Sequence, residues 1–231
     1  MMQNVDIAIV GGGMVGLTLA RALRDTDYRI AIINPASIAR PLSESSEARV
    51  SAINLKNQSA FDAMGVWQSL DAARLGPYTQ MQVWDQDSFG KIQFNAADIP
   101  APELGHIVEN QNLVNALYES ITSQDNVTVL DGTAIAKCLW GEENAVLMLD
   151  NDTVLSAKLV VGADGANSYI RQQANFPMTF KDYEHVAIVA TIRTTEPHDG
   201  VARQVFTPTG PLALLTLADP HQCSIVWSQD T

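Results

Sequence analysis

Cysteine is scarce in this chain of 231 residues. Cys138 and Cys223 stand far apart, in no metal or redox spacing. That excludes a disulfide framework and a zinc ribbon, and both thiols are expected to be reduced and buried, as in a cytoplasmic protein. Histidine is equally sparse. His106, His185, His198 and His221 show no ligand spacing, so no metal site is expected. Basic residues are outnumbered: 14 Lys and Arg face 26 Asp and Glu, a net charge of −12. Such a surface does not suit nucleic acid and repels an anionic membrane. No apolar run reaches the roughly 18 residues a transmembrane segment needs, and the apolar N-terminus lacks the basic leader of a signal peptide. What is present, 46% apolar and 17% charged residues, belongs to a globular protein of one large domain or two small ones.

The chain opens on "VDIAIVGGGMVGLTLARAL". Val5–Val10 reads as a buried parallel strand, Met14–Arg24 as a helix and Tyr28–Ile33 as a second strand. Between the first strand and the helix, Gly11, Gly13 and Gly16 form G-x-G-x-x-G. Gly11 permits a tight turn, Gly13 lets a pyrophosphate approach the backbone, and Gly16 lets the helix pack on the strand. The helix N-terminus then offers free N–H groups to the phosphates. This predicts dinucleotide binding; the alternative is a turn that only connects and packs. An acid at the end of the second strand ordinarily takes the ribose hydroxyls. Here that position falls on Asn34, whose neutral amide accepts a bond weaker by about 1 kcal/mol.

Further on, 37–49 reads as a polar loop, and a helix is expected from about Asn54 with Gly65 just past its end. The pattern then alternates from Tyr78 to Phe94, a hairpin turning at Asp87–Gly90. "NQNLVNALYESITSQ" reads as a helix, and a hairpin through Asn151–Asp152 leads to a buried strand and a second glycine turn. After about residue 175 the chain is β-rich.

The second turn, "LVVGADGANSYIR", decides between nucleotides. A simple NAD dehydrogenase has no use for another strand–glycine–helix turn so late. Gly162 and Gly165 allow close approach, Asp164 can accept from a ribityl or ribose hydroxyl, and Arg171 can reach a carboxylate or phosphate. The alternative is an Asp-Gly turn with an arginine salt bridge. G-A-D-G-x-x-S-x-x-R behind an N-terminal G-x-G-x-x-G resembles the FAD-dependent aromatic hydroxylases of the para-hydroxybenzoate hydroxylase superfamily. "EARVSAINLKNQSAFDAMGVW", "MQVWDQDSFGKIQF", "GHIVENQNLVNALY" and the stretch from "FKDYEHVAIVATIRT" onward are similar to its ubiquinone-biosynthesis hydroxylases, most of all the 2-octaprenylphenol hydroxylase branch. The resemblance covers essentially the whole chain.

The resemblance implies an α/β fold. A Rossmann-like FAD-binding domain, incomplete, takes residues 1–75 and 106–175. A second, mostly antiparallel β substrate domain takes 76–105 and 176–231. It implies Arg49 beside the flavin and Asn110 or Gln111 on the cofactor from a helix start. Arg49 read by itself is equally a surface charge closing a loop, and Asn110 an N-cap. It implies that NAD(P)H reduces FAD and that O₂ supplies the oxygen placed on a polyprenyl phenol in ubiquinone synthesis. No side-chain nucleophile or triad is expected, since the flavin carries the chemistry. Phe206 and Trp227 are candidate pocket linings or plain core. Alternatives are a flavin hydroxylase of a small soluble aromatic, and a non-catalytic scaffold that has lost its cofactor. Related chains run on through a G-D-A-A-H motif that this sequence does not reach. The chain is therefore expected to be an N-terminal fragment that binds FAD weakly or not at all and is inactive alone. It is expected in the cytoplasm, associating with other quinone-biosynthesis proteins that could hold it at the inner membrane.

Overall fold

The computed structural model describes residues 2–230. In chain order the strands are β1 (Met2–Val10), β2 (Ile30–Asn34), β3 (Val50–Asn54), β4 (Gly76–Tyr78), β5 (Gln80–Asp85), β6 (Lys91–Asn95), β7 (Gly105–Glu109), β8 (Val127–Asp131), β9 (Ile135–Trp140), β10 (Ala145–Leu149), β11 (Val154–Gly162), β12 (His185–Arg193), β13 (Val201–Thr207), β14 (Gly210–Thr216) and β15 (Gln222–Asp230). The helices are α1 (Met14–Ala22), α2 (Leu55–Ala63), α3 (Asn110–Thr122) and α4 (Tyr169–Gln173). The chain divides into two compact units, each assembled from separate stretches.

The first unit holds residues up to Pro41, Met64–Ser69 and Leu113–Thr179. Its sheet runs β8-β2-β1-β11-β10-β9. The first four of these strands are mutually parallel, and β10 and β9 are antiparallel additions. Strands covered on both faces need apolar side chains on both. Ile30, Ile32 and Ile33 of β2 and Ile9 of β1 meet that need and are almost wholly buried. Leu17 of α1, and Leu113, Leu117 and Ile121 of α3, are buried as well. The order β8-β2-β1-β11 is Rossmann-like, with the glycine turns at the carboxyl ends of β1 and β11, the two central strands of the six-stranded sheet.

The second unit holds Leu42–Ala63, Leu70–Asn112 and residues from Phe180. A six-stranded sheet runs β12-β15-β14-β13-β5-β6, antiparallel except where β5 joins β13 in parallel. A three-stranded sheet, β3-β7-β4, is antiparallel. Tyr78, Ile107, Ala202 and Leu217 form a buried cluster with Met81 and Leu215 packed on it.

Several local expectations match: α2 starts at Leu55, Gly65 takes the left-handed φ of +72° beyond its end, and both hairpins turn where read. Three strands went unread, β3, β4 and β7, and β4 is only three residues long. β3 and β7 are five residues each, and β7 runs without a break into α3. Its "GHIVE" is buried at four of five positions, so no alternation marks it.

Candidate functional site

β1 and β11 lie side by side in parallel, with Val10 opposite Gly162. Both glycine turns therefore leave the same edge of the first unit's sheet. Gly11 donates its N–H to the Ile33 carbonyl at 2.8 Å, and Ala163 donates to Val10 at 2.7 Å. The turns touch: a Cβ on Gly11 would lie 2.2 Å from the Ala163 carbonyl oxygen, and Gly11 has φ +114°. A Cβ on Gly16 would lie 2.1 Å from the Gly11 carbonyl oxygen, and one on Gly12 would meet Ile38 at 2.5 Å. Folding alone demands Gly11 and Gly16, whose added Cβ would strike backbone, whereas at Gly12 the Ile38 side chain would have to shift.

Gly13 is different. Its φ is −82°, which any residue adopts. It is exposed, and a Cβ there would meet no protein atom within 4 Å. It stands at the N-cap of α1, which carries no side-chain cap and no acid in its first turn. The positive end of the helix stays open.

Asn34 closes the turn from the side. Its Oδ1 accepts the Gly12 N–H at 2.9 Å, and its Nδ2 donates to the Ala36 carbonyl. Asp131 of β8 stands opposite Asn34 in register, and its carboxylate accepts the Ile38 N–H at 3.1 Å. At the second turn, Asp164 accepts the Ser168 hydroxyl and, at 3.1 Å, the Ile170 N–H. Ser168 caps α4 by accepting the Arg171 N–H at 3.0 Å, and the Arg171 guanidinium donates to the Ala166 carbonyl at 2.9 Å. Gly165 sits between them at φ +86°. Beside the turns lies a cavity of about 240 Å³ whose lining includes Val10, Ile33, Pro35, Ile135, Asp164 and Tyr169. Its apolar floor and single aromatic ring suit a flat base. Cys138 and Cys223 are free and buried, and burial pushes both thiols up.

In the second unit, Arg49 is exposed and its carbonyl accepts the Asn110 N–H at 3.0 Å. Among the described residues its guanidinium has no acidic partner within salt-bridge distance. Asn110 opens α3, and its Oδ1 accepts the Ser51 hydroxyl at 2.7 Å. Gln111 follows, half-buried. The residue before them is Glu109, only 3% exposed, and Arg74 grips it from two nitrogens at 2.9 and 2.6 Å. That contact holds the Arg74 guanidinium above its ordinary value, against the effect of burial.

The family model described as the FAD binding domain matches residues 4–213. This chain belongs to that family. It is 34% identical over 227 residues to the 3-demethoxyubiquinol 3-hydroxylase of Escherichia coli, covering 97% of this chain and 57% of the relative. It is 35% identical over 239 residues to the mitochondrial ubiquinone biosynthesis monooxygenase COQ6 of Danio rerio, covering 96% and 49%. The chain thus spans about half the length of the curated relatives it matches. Among solved structures, Pseudomonas aeruginosa PqsL in complex with 2-aminobenzoylacetate superposes with a TM-score of 0.80 at 19% identity, over 99% of this chain and 61% of that one. The p-nitrophenol 4-monooxygenase PnpA of Pseudomonas putida gives 0.79 at 17%, over 99% and 59%. These two likenesses concern the fold.

FAD is the cofactor of this family, and the first unit fits a dinucleotide. Gly13 is bare where the fold does not require it, an uncapped helix end stands behind it, and a base-sized cavity lies alongside. Gly11, Gly13, Gly16, Asn34, Asp164, Gly165 and Arg171 all sit in this unit. Arg49, Asn110 and Gln111 belong to the second. Sequence reasoning missed Arg74 and Glu109. A glutamate ending an apolar strand signals a buried charge in need of a partner, but nothing local says which arginine supplies it. Among the described residues no His, Cys, Asp and Glu cluster could hold a metal, and no helix is long and apolar enough to cross a membrane.

Proposed function

We propose that this chain is the cofactor- and substrate-holding part of an FAD-dependent, NAD(P)H-using monooxygenase that hydroxylates a polyprenyl phenol in ubiquinone synthesis. The observation that carries the reading is Gly13: a glycine without a structural reason, at an open helix N-terminus, two positions after the glycine that touches the second turn. The named activities of the relatives support the reaction class.

When bound, FAD takes electrons from NAD(P)H and activates O₂ toward an electron-rich ring. The protein's part is to bind, orient and keep water out. The N–H groups of the first turn of α1, left open at Gly13, would hold the pyrophosphate. Asn34 and Asp164 keep the two turns in shape and retain free lone pairs for ribose and ribityl hydroxyls. Arg171 fixes the far side of the second turn through Ala166. The resemblance, and not a measured contact, assigns Arg49, Asn110 and Gln111 to the flavin.

The six-stranded sheet supplies apolar surface for the substrate. Ile188, Trp227, Leu212, Val205 and Trp84 are successive cross-strand neighbours and share one face. Phe206 follows Val205 and points to the other face. Phe206 and Trp227 are 47% and 37% exposed, so neither is plain core, and one pocket cannot use both. Trp227 is the lining residue in this reading. Delivery of a lipid-like phenol by other quinone-biosynthesis proteins at the inner membrane completes it.

The test is a titration of the chain with FAD, followed in the visible flavin spectrum, for wild type and Gly13→Val. Weak, saturable binding by wild type, lost in the variant, is expected. Binding that Gly13→Val leaves untouched would remove the argument. NAD(P)H oxidation by the full-length protein, stimulated by a polyprenyl phenol and not by short soluble phenols, checks the substrate.

A further inference from the structure

Glu109 is the sole buried carboxylate among the described residues. A buried ion pair is weak evidence for stability, because desolvation offsets most of its attraction. Its partners show a different use. The segment between β2 and β3 has neither helix nor strand. Its second half is tied down at alternate residues. Arg74 Nη1 donates to the Ser43 carbonyl at 2.8 Å, and Nη2 donates to the Ser45 carbonyl at 3.0 Å. Glu109 Oε2 accepts the Glu47 N–H at 2.9 Å. The Arg49 carbonyl accepts the N–H of Asn110, the residue after Glu109. Four fastenings in a row end on Arg49, and three of them run through one ion pair.

The charges matter as much as the bonds. Arg49 is an exposed guanidinium in a chain of net charge −12. Left alone, the carboxylate two positions along this ladder from Arg49 would draw that cation toward itself. Arg74 neutralises Glu109 from inside the protein with a two-point grip, which leaves Arg49 uncommitted.

We infer that the Arg74–Glu109 pair is a positioning clamp: it sets the 43–49 segment so that Arg49, and Asn110 beside it, are presented in fixed register to the flavin dinucleotide. Neither clamp residue touches the ligand. The inference rests on the proposed reading that Arg49 and Asn110 meet the flavin.

The experiment compares wild type with Arg74→Met/Glu109→Met, which replaces the pair by side chains of similar bulk and leaves no buried charge behind. Two quantities are read: the rate of tryptic cleavage at Arg49–Val50, with Lys91–Ile92 in the distant β5–β6 hairpin as internal reference, and the FAD dissociation constant from the visible spectrum. Far-UV circular dichroism establishes that the variant folds. If it does not, Arg74→Lys, which keeps the charge and loses the two-point grip, replaces it. The clamp requires cleavage at Arg49–Val50 to rise about tenfold or more, with Lys91–Ile92 unchanged, and FAD to bind about tenfold or more weakly. Unchanged cleavage overturns it. Faster cleavage with unchanged FAD affinity overturns the link to the cofactor. If wild type binds no FAD, the proposed function fails, and the cleavage ratio alone still decides whether the pair holds the segment.

Discussion

The side-chain oxygen of Asn34 accepts the backbone N–H of Gly12 at 2.9 Å, while its amide nitrogen donates to Ala36. The residue where an acid is expected thus serves the turn itself. A carboxylate would keep the first bond and lose the second. Asn34→Asp is expected to cost the ligand-free chain about 1 kcal/mol, from one carboxylate facing the Ala36 carbonyl. It is also expected to tighten FAD several-fold, because a charged acceptor meets the ribose. Urea unfolding and FAD titration should move in opposite directions. If both worsen together, Asn34 does not face the ribose.

Gly11 and Gly13 are two positions apart and should fail differently. Gly11→Ala drives a Cβ into the Ala163 carbonyl at a positive φ. It should destabilise the first unit by about 2–4 kcal/mol. Gly13→Ala meets nothing and keeps its φ, so stability should hold within about 0.5 kcal/mol. FAD affinity should nonetheless fall about tenfold, the equivalent of one lost charge-assisted hydrogen bond. Thermal melts and flavin titrations of the two variants separate folding from binding.

Ser168 caps a helix of five residues and also donates to Asp164. Ser168→Ala removes both bonds and should cost about 1–2 kcal/mol, while Ser168→Thr should cost much less. Amide exchange across residues 169–173 should quicken in the alanine variant. Protection that survives there would show that α4 does not depend on its cap.

Asp6 contributes stability that is lost on acidification. The Lys158 ammonium at 2.7 Å and the Arg29 N–H at 2.9 Å lower its carboxyl from 3.8 to about 2. The folded value lies below the unfolded one. The contribution is therefore complete above about pH 4 and lost as pH falls through the folded value. Asp6→Asn should flatten the decline in melting temperature over that window and leave its slope near neutrality alone. An unchanged acid slope would mean that Asp6 is not the group being titrated.

Much of the first unit was readable because its signals are local. Buried strands are continuous apolar runs, the glycines stand at a set spacing, and Asp164, Ser168 and Arg171 follow the rise of one helical turn. Asn34 was placed correctly at the end of β2, yet its bonds to Gly12 and Ala36 depend on how the following loop folds back. Glu109 and Arg74 could not be paired from sequence, since their meeting depends on a segment held in neither helix nor strand. β5 beside β13 was equally hidden: parallel neighbours need no shared turn, and only side-chain alternation hinted that residues 80–85 belong to a sheet.

The parallel pairing of β1 with β11 has a consequence for synthesis. Met2 of β1 pairs with Val154 of β11, so β1 and the Gly11 turn are synthesised well before the Ala163 carbonyl against which Gly11 closes. The nascent protein therefore carries half a phosphate cradle until that later stretch emerges. A polypeptide ending before residue 163 lacks the carbonyl that closes the first turn, and it is expected to lose flavin affinity together with that contact.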